Sequence, residues 1–145
     1  MEIKEIKVGC GSPYSVFIKK GLLSQASEYI SKYARAERYC IVSDDNVAPI
    51  YAEAVKTAIE KNGAEAHVFV FGHGEVNKTL STVGEILEYL AKCSFTRSDC
   101  LIALGGGIVG FSLTRVFGRL RSRRYSRLAR GTVGSVCKMR IVSAV

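Results

Sequence analysis

Three short stretches of this 145-residue chain hold residue types that can do chemistry at the spacings that chemistry needs. Gly105-Gly106-Gly107-Ile108-Val109-Gly110 places glycines as in the G-x-G-x-x-G fingerprint, where bare backbone N–H groups approach a pyrophosphate at the positive end of the next helix. Gly74-Glu75-Val76-Asn77-Lys78 sets a carboxylate and an ammonium three positions apart, an acid able to accept from a sugar diol and a base able to face phosphate. Asp44 with Asn46 has the ribose-binding residue types too. Each stretch also has a plainer reading. The glycines serve a tight strand-to-helix turn, Glu75 and Lys78 form a solvated ion pair at a helix start, and Asp44 makes an Asx turn capping a helix. An ordinary dinucleotide fold fails on position and partner, because the fingerprint follows a late strand and no acidic residue occurs after Asp99 to take the ribose.

The remaining reactive residue types point nowhere in particular. His67 reads as a strand-face residue and His73 as a polar loop residue, with no metal-ligand spacing between them. The five cysteines (Cys10, Cys40, Cys93, Cys100, Cys137) include no CxxC pair, so small buried thiols are expected rather than disulfides or a zinc knuckle. No catalytic residue and no metal ligand is assigned.

The elements that must position these stretches follow from periodicity. Glu2 to Val8 and Tyr14 to Ile18 alternate polar and apolar around a Gly9-to-Pro13 turn cluster, which predicts a hairpin. Leu22, Leu23, Ala26, Tyr29, Ile30 and Tyr33 recur at helical spacing, predicting a helix from about Gly21 to Tyr33. Strand, loop and helix then repeat. Tyr39 to Val42 leads through Asp44-Asp45-Asn46 into a helix that Asn62-Gly63 ends, and Val68 to Phe71 leads through Gly72 to Lys78 into a second. For that second helix Thr82 and Glu85 have capping-box spacing, while Leu80 on its apolar face leaves an earlier start open. Cys100 to Leu104 opens a third unit and runs into the glycines. Strands apolar on both faces and alternating with helices predict a Rossmann-like α/β fold: a parallel sheet with helices on both faces, plus an N-terminal β-hairpin. All three polar stretches then fall after strands, at the carboxyl rim where such sheets bind ligands.

Charge divides the chain in two. Residues 1–110 hold 12 basic and 13 acidic side chains, whereas residues 111–145 hold 9 basic and no acidic ones. The net charge of +8 thus comes from the second part alone. No apolar run approaches the ~18 residues that cross a bilayer, and Glu2, Lys4, Glu5 and Lys7 break any secretory leader, so a cytoplasmic protein without a membrane partner is expected.

Taken in order, four blocks of residues 1–110 resemble 3-dehydroquinate synthase, a sugar-phosphate cyclase of the shikimate pathway and of the iron-alcohol-dehydrogenase-like superfamily. They are Tyr14 and Ile18 with Gly21-Leu22-Leu23, Val42 to Tyr51, Gly74 to Leu80, and Arg97 to Gly110. The resemblance implies an NAD-binding α/β domain over residues 1–110. Its cofactor contacts would fall on Asp44 and Asn46, on Glu75 and Lys78, and on Gly106, Gly107 and Ile108. It implies a lyase reaction in which NAD transiently oxidises a hydroxyl of 3-deoxy-arabino-heptulosonate 7-phosphate, phosphate leaves, and the product is 3-dehydroquinate. A divalent metal, zinc or cobalt, polarises the oxidised hydroxyl in this family. Its ligands lie in a helical C-terminal domain that has no counterpart here. Related cyclases and the metal-dependent glycerol and alcohol dehydrogenases share the domain plan, although the dehydrogenases usually lack the Gly-Glu-x-x-Lys-Thr and Asp-x-Asn-Val blocks together.

The departure starts at Phe111, which stands where the family has an aspartate. Residues 111–145 read as a basic tail foreign to the family, in keeping with a shifted reading frame: one permitted codon choice for Thr114 to Ser126, read one nucleotide later, spells a Gly-Phe-Ser-Ala-Ala run of the kind the family shows there. As a helix, this stretch would line up Leu113, Val116, Phe117 and Leu120, with Arg115, Arg119, Arg123 and Arg124 elsewhere, a pattern also used on nucleic acids and anionic surfaces. The expectation is a truncated synthase that binds NAD weakly, is inactive alone, and self-associates, for example as a homodimer, through exposed apolar surface.

Overall fold

Alternation makes the first element. Lys4–Val8 (β1) and Tyr14–Ile18 (β2) pair antiparallel, Lys4 opposite Ile18 and Val8 opposite Tyr14, as a two-stranded sheet of their own. Phe17 docks the hairpin, its ring centroid 4.9 Å from that of Tyr29 and 5.2 Å from that of Tyr33. The predicted helix after Gly21 begins as a 3₁₀ turn, Leu22–Gln25, and becomes α-helical over Ala26–Tyr33 (α1). This computed structural model describes residues 2–9, 13–96, 98–121 and 137–141.

Strand and helix then alternate: Arg38–Asp44 (β3), Ala48–Lys61 (α2), Glu65–Phe71 (β4), Leu80–Lys92 (α3), Cys100–Leu104 (β5), Gly107–Arg121 (α4) and Cys137–Ile141 (β6). The four strands lie parallel in the order β4-β3-β5-β6, with Ile41 of β3 opposite both Val68 and Ile102. Strand alternation splits the core between two faces. Tyr39, Ile41, Cys100, Ile102 and Leu104 pack under α1 and α2 with Ile30, Val55 and Ile59. Cys40, Val42, Leu101 and Ala103 pack under α3 and α4 with Val83, Ile86, Leu90, Val109, Leu113 and Val116. The expected α/β class, with helices on both faces of a parallel sheet and a separate hairpin, is the fold this chain adopts.

Several local expectations shift. The side-chain cap of α3 is Thr79, whose hydroxyl accepts from the Thr82 amide at 3.3 Å, while the Thr82 hydroxyl donates to the Asn77 carbonyl at 2.7 Å instead of capping. The change of charge at Gly110 falls inside α4, and β6 is a strand that periodicity did not announce. Leu113 and Val116 are core residues, so this part of the apolar stripe is not a surface. Arg123 and Arg124 lie outside the described residues, as do Cys10 and the side chains of Phe117, Arg119, Leu120 and Cys137. Cys40 and Cys100 are buried and Cys93 half-buried, and burial pushes the Cys40 thiol up to about 12. Among the described residues no helix is long and apolar enough to cross a membrane.

One charged group clamps the amino-terminal edge of the sheet. Arg38 Nη2 donates to the buried Asp99 Oδ2 at 2.8 Å, Nη1 donates to the Cys93 carbonyl at 3.0 Å, and the guanidinium lies 5.0 Å from the Phe95 ring centroid. Asp99 Oδ2 also accepts from the Thr96 amide at 2.6 Å, which fixes the turn before β5. Removing the guanidinium strands a buried carboxylate, the costly way to break such a pair. Arg38→Ala should therefore lower the unfolding free energy in urea by about 3 kcal/mol; a loss within experimental error of zero would show the pair to be dispensable.

Candidate functional site

The loops after β3, β4 and β5 leave the same rim, because the three strands are parallel and adjacent with β3 in the middle. The helices that follow β3 and β5 diverge: α2 packs on one face and α4 on the other. Such a divergence between neighbouring parallel strands opens a crevice at their carboxyl ends. The buried Ser43 hydroxyl donates to the Leu104 carbonyl at 2.7 Å and holds the two strand ends together beneath it.

Asp44 is buried at the base of this crevice. Its Oδ1 accepts from the Asn46 amide at 3.0 Å and the Val47 amide at 2.9 Å, the Asx turn that leads into α2. The structural reading of Asp44 is therefore met by one oxygen. The other, Oδ2, lies beside Gly105, 3.4 Å from where a Cβ would stand. The Asn46 and Glu75 side chains are exposed, and Glu75 Oε2 is 3.4 Å from Lys78 Nζ. Lys78 also reaches across to α4, its Nζ lying 4.6 Å from the Phe111 ring centroid, with the Arg115 guanidinium 5.1 Å from the same ring.

The glycine run divides into two kinds of position. At Gly105 φ is +144° and a Cβ would meet Val109 Cγ2 at 2.9 Å, so the protein's own packing demands glycine there. At Gly106 and Gly107 a Cβ would meet nothing within 4 Å and φ lies outside the left-handed region, so neither turn geometry nor packing demands glycine. Gly106 precedes α4 and Gly107 opens it, and the first turn of that helix holds no acidic residue. Ile108 packs its side chain against the core and can offer a ligand only its backbone.

The loops are also tied together by a pair that spacing did not single out. Asp45 Oδ1 accepts from the His73 amide at 2.9 Å and lies 2.6 Å from His73 Nδ1, while the Asp45 amide donates to the Phe71 carbonyl at 3.0 Å. The side-chain hydrogen bond from His73, followed by its backbone one, holds the Asp45 carboxyl below the usual carboxylate range. Within the second loop Asn77 Nδ2 donates to the His73 carbonyl at 2.8 Å and covers Gly72, where a Cβ would lie 2.7 Å from that nitrogen. His67 lies away from this rim, its Nε2 2.6 Å from Glu65 Oε1. Among the described residues no three His, Cys, Asp or Glu side chains gather as a metal would require, and no step through a metal is derived for them.

The chain is similar to known proteins in sequence and in fold. The family described as iron-containing alcohol dehydrogenase matches residues 13–109, about two thirds of the chain. The 3-dehydroquinate synthase of Streptococcus sanguinis (strain SK36) is 49% identical over 98 residues, covering 68% of this chain and 28% of that protein. Among solved structures, a 2-deoxy-scyllo-inosose synthase superposes with a TM-score of 0.73 at 20% identity, over 97% of this chain and 36% of its own. A second such synthase, complexed with carbaglucose-6-phosphate, NAD+ and Co2+, gives 0.68 at 24% identity over 81% of this chain and 31% of its own. The chain spans under a third of the curated relatives' length, and on the strength of residues 13–109 it belongs to the iron-containing alcohol dehydrogenase family, in the branch that resembles the 3-dehydroquinate synthases.

Proposed function

We propose that this chain is the NAD-binding part of a 3-dehydroquinate synthase, and that the crevice between Asp44 and Gly107 is the dinucleotide site. The observation that carries the reading is the open space at Gly106 and Gly107: glycine there leaves room for something that is not protein. The pyrophosphate lies on the N–H groups from Gly106 to Ile108, where the helix end is positive and its first turn holds no acidic residue. Asp44 Oδ2, free of the Asx turn, and the Asn46 side chain take ribose hydroxyls. Lys78 faces the phosphates, and Glu75 holds the lysine or a second diol. The similar synthase whose structure holds NAD+ lends the reading further support.

NAD, when bound, supplies a hydride acceptor through which a ring hydroxyl of 3-deoxy-arabino-heptulosonate 7-phosphate is oxidised and later restored. The residues of this chain bind and orient it; none of them is assigned a proton or bond of the sugar. With Phe111 at the family's aspartate position, the chain alone binds NAD weakly and does not cyclise the substrate. A related cyclase substrate fits the same domain equally well, since the discriminating contacts lie beyond it.

Thermal-shift titration with NAD should give a saturable rise in Tm. Gly106→Ala should leave the unliganded Tm unchanged, because its Cβ enters open space, while weakening NAD on the order of tenfold. Equal NAD responses in both proteins would place the cofactor elsewhere. No phosphate should be released from the heptulosonate phosphate by the chain alone; NAD-dependent release would contradict the inactive reading. For the loop clasp, carboxyl NMR should show Asp45 titrating below its ordinary value of 3.8, and His73→Ala should move it back up. Because the folded-state value is the lower one, any stabilisation by the clasp is complete above the ordinary carboxylate range and fades as acid passes through the lowered value.

A further inference from the structure

Lys78 is claimed from two sides. Within its own loop, Glu75 Oε2 lies 3.4 Å from the Lys78 Nζ. The second claim crosses the fold: the Phe111 ring of α4 lies under the same Nζ, with its centroid 4.6 Å away. An ammonium over a ring at that distance is held by the negative π-face, and the attraction grows as water is excluded. Here Phe111 is half-buried and the Lys78 side chain is 35% exposed, so the contact is partly desolvated. Arg115, one turn further along α4, brings its guanidinium to 5.1 Å from the same centroid. One ring thus collects two cations at the rim while offering neither of them an oxygen.

We propose that Phe111 sets the anion affinity of the rim by competing with a bound phosphate group for Lys78. The inference rests on the dinucleotide reading, which assigns the same lysine to the phosphates. A phosphate oxygen accepts a charged hydrogen bond from the ammonium and a ring carbon does not, so a phosphate that binds draws Lys78 off the ring. The ligand is then held less tightly by the free energy of the contact it displaces. Linkage makes the effect reciprocal: whatever loosens the ring contact tightens the anion, and the anion loosens the ring contact. Leucine at position 111 is apolar, suits a half-buried helix position and has no π-face, so it leaves Lys78 to the ligand. Because Arg115 shares the ring, only a cycle that includes Lys78 isolates the lysine's part.

Proton–carbon NMR of the full chain, titrated separately with inorganic pyrophosphate and with NAD, tests it. In the parent protein the Lys78 ε-methylene protons should be moved upfield by the Phe111 ring current, and Phe111→Leu should abolish that displacement. Pyrophosphate should return these protons downfield in the parent along its own saturation curve, a readout that needs no variant. Phe111→Leu should bind pyrophosphate about threefold more tightly, and Lys78→Met should cost about threefold more affinity in the Phe111→Leu background than in the parent. Lys78 protons that stay upfield at saturation would overturn the inference, as would equal costs of Lys78→Met in the two backgrounds or a chain that binds neither probe. Coupling with pyrophosphate but no binding of NAD would sustain the inference and remove the dinucleotide reading. NAD binding that Gly106→Ala weakens, with no coupling between positions 78 and 111, would do the reverse.

Discussion

Two neighbouring strands that send their helices to opposite faces of the sheet are the constraint on which this molecule's chemistry depends. β3 and β5 run side by side, pinned at their carboxyl ends by the Ser43 hydroxyl on the Leu104 carbonyl, and α2 and α4 then part. A gap is unavoidable above that bond, and its two walls are helix amino termini. The Asx turn of Asp44 satisfies the first amides on the α2 side, whereas the first turn of α4 holds no acidic residue. An anionic ligand is drawn toward Gly106 and Gly107 for electrostatic reasons that precede any particular side chain.

The consecutive glycines show why residue type alone under-determines function. Gly105 is explained by geometry, since its backbone is left-handed and Val109 fills the space a side chain would need. Its two successors have neither explanation. The structural and functional readings of a glycine loop therefore do not compete over the whole motif; they divide it, residue by residue. Asp44 divides in the same manner, one oxygen holding the Asx turn and the other lying beside Gly105.

Much of this was legible in sequence because burial on both faces writes long apolar runs: Cys40 to Val42 and Cys100 to Leu104 mark the central strands, and the polar residues after them mark the rim. What sequence did not carry was contact across loops. The Asp45–His73 clasp joins residues 28 apart whose pairing exists only once β3 and β4 are in register. Nor did alternation reveal that the outer face of the hairpin stays uncovered, because an alternating strand looks the same whether its apolar side meets a helix or nothing. Spacing alone also left the start of α3 open between Thr79 and Thr82, and the fold decides it: the Thr82 hydroxyl is claimed by the Asn77 carbonyl of the folded loop.

A shallow depression also lies between the 3₁₀ turn and α2, lined by Ser24, Ser27, Glu53, Thr57, Lys61 and Asn62. It lies by the start of α1 and the second half of α2, away from the loops that follow β3, β4 and β5, so the open rim is the better site on physical grounds. Amide chemical-shift mapping during an NAD titration separates the two directly. The account predicts that Asn46, Lys78, Gly106, Gly107 and Ile108 shift together along one saturation curve. Shifts confined to the Ser24–Asn62 depression, or none at the α4 amino terminus, would contradict it.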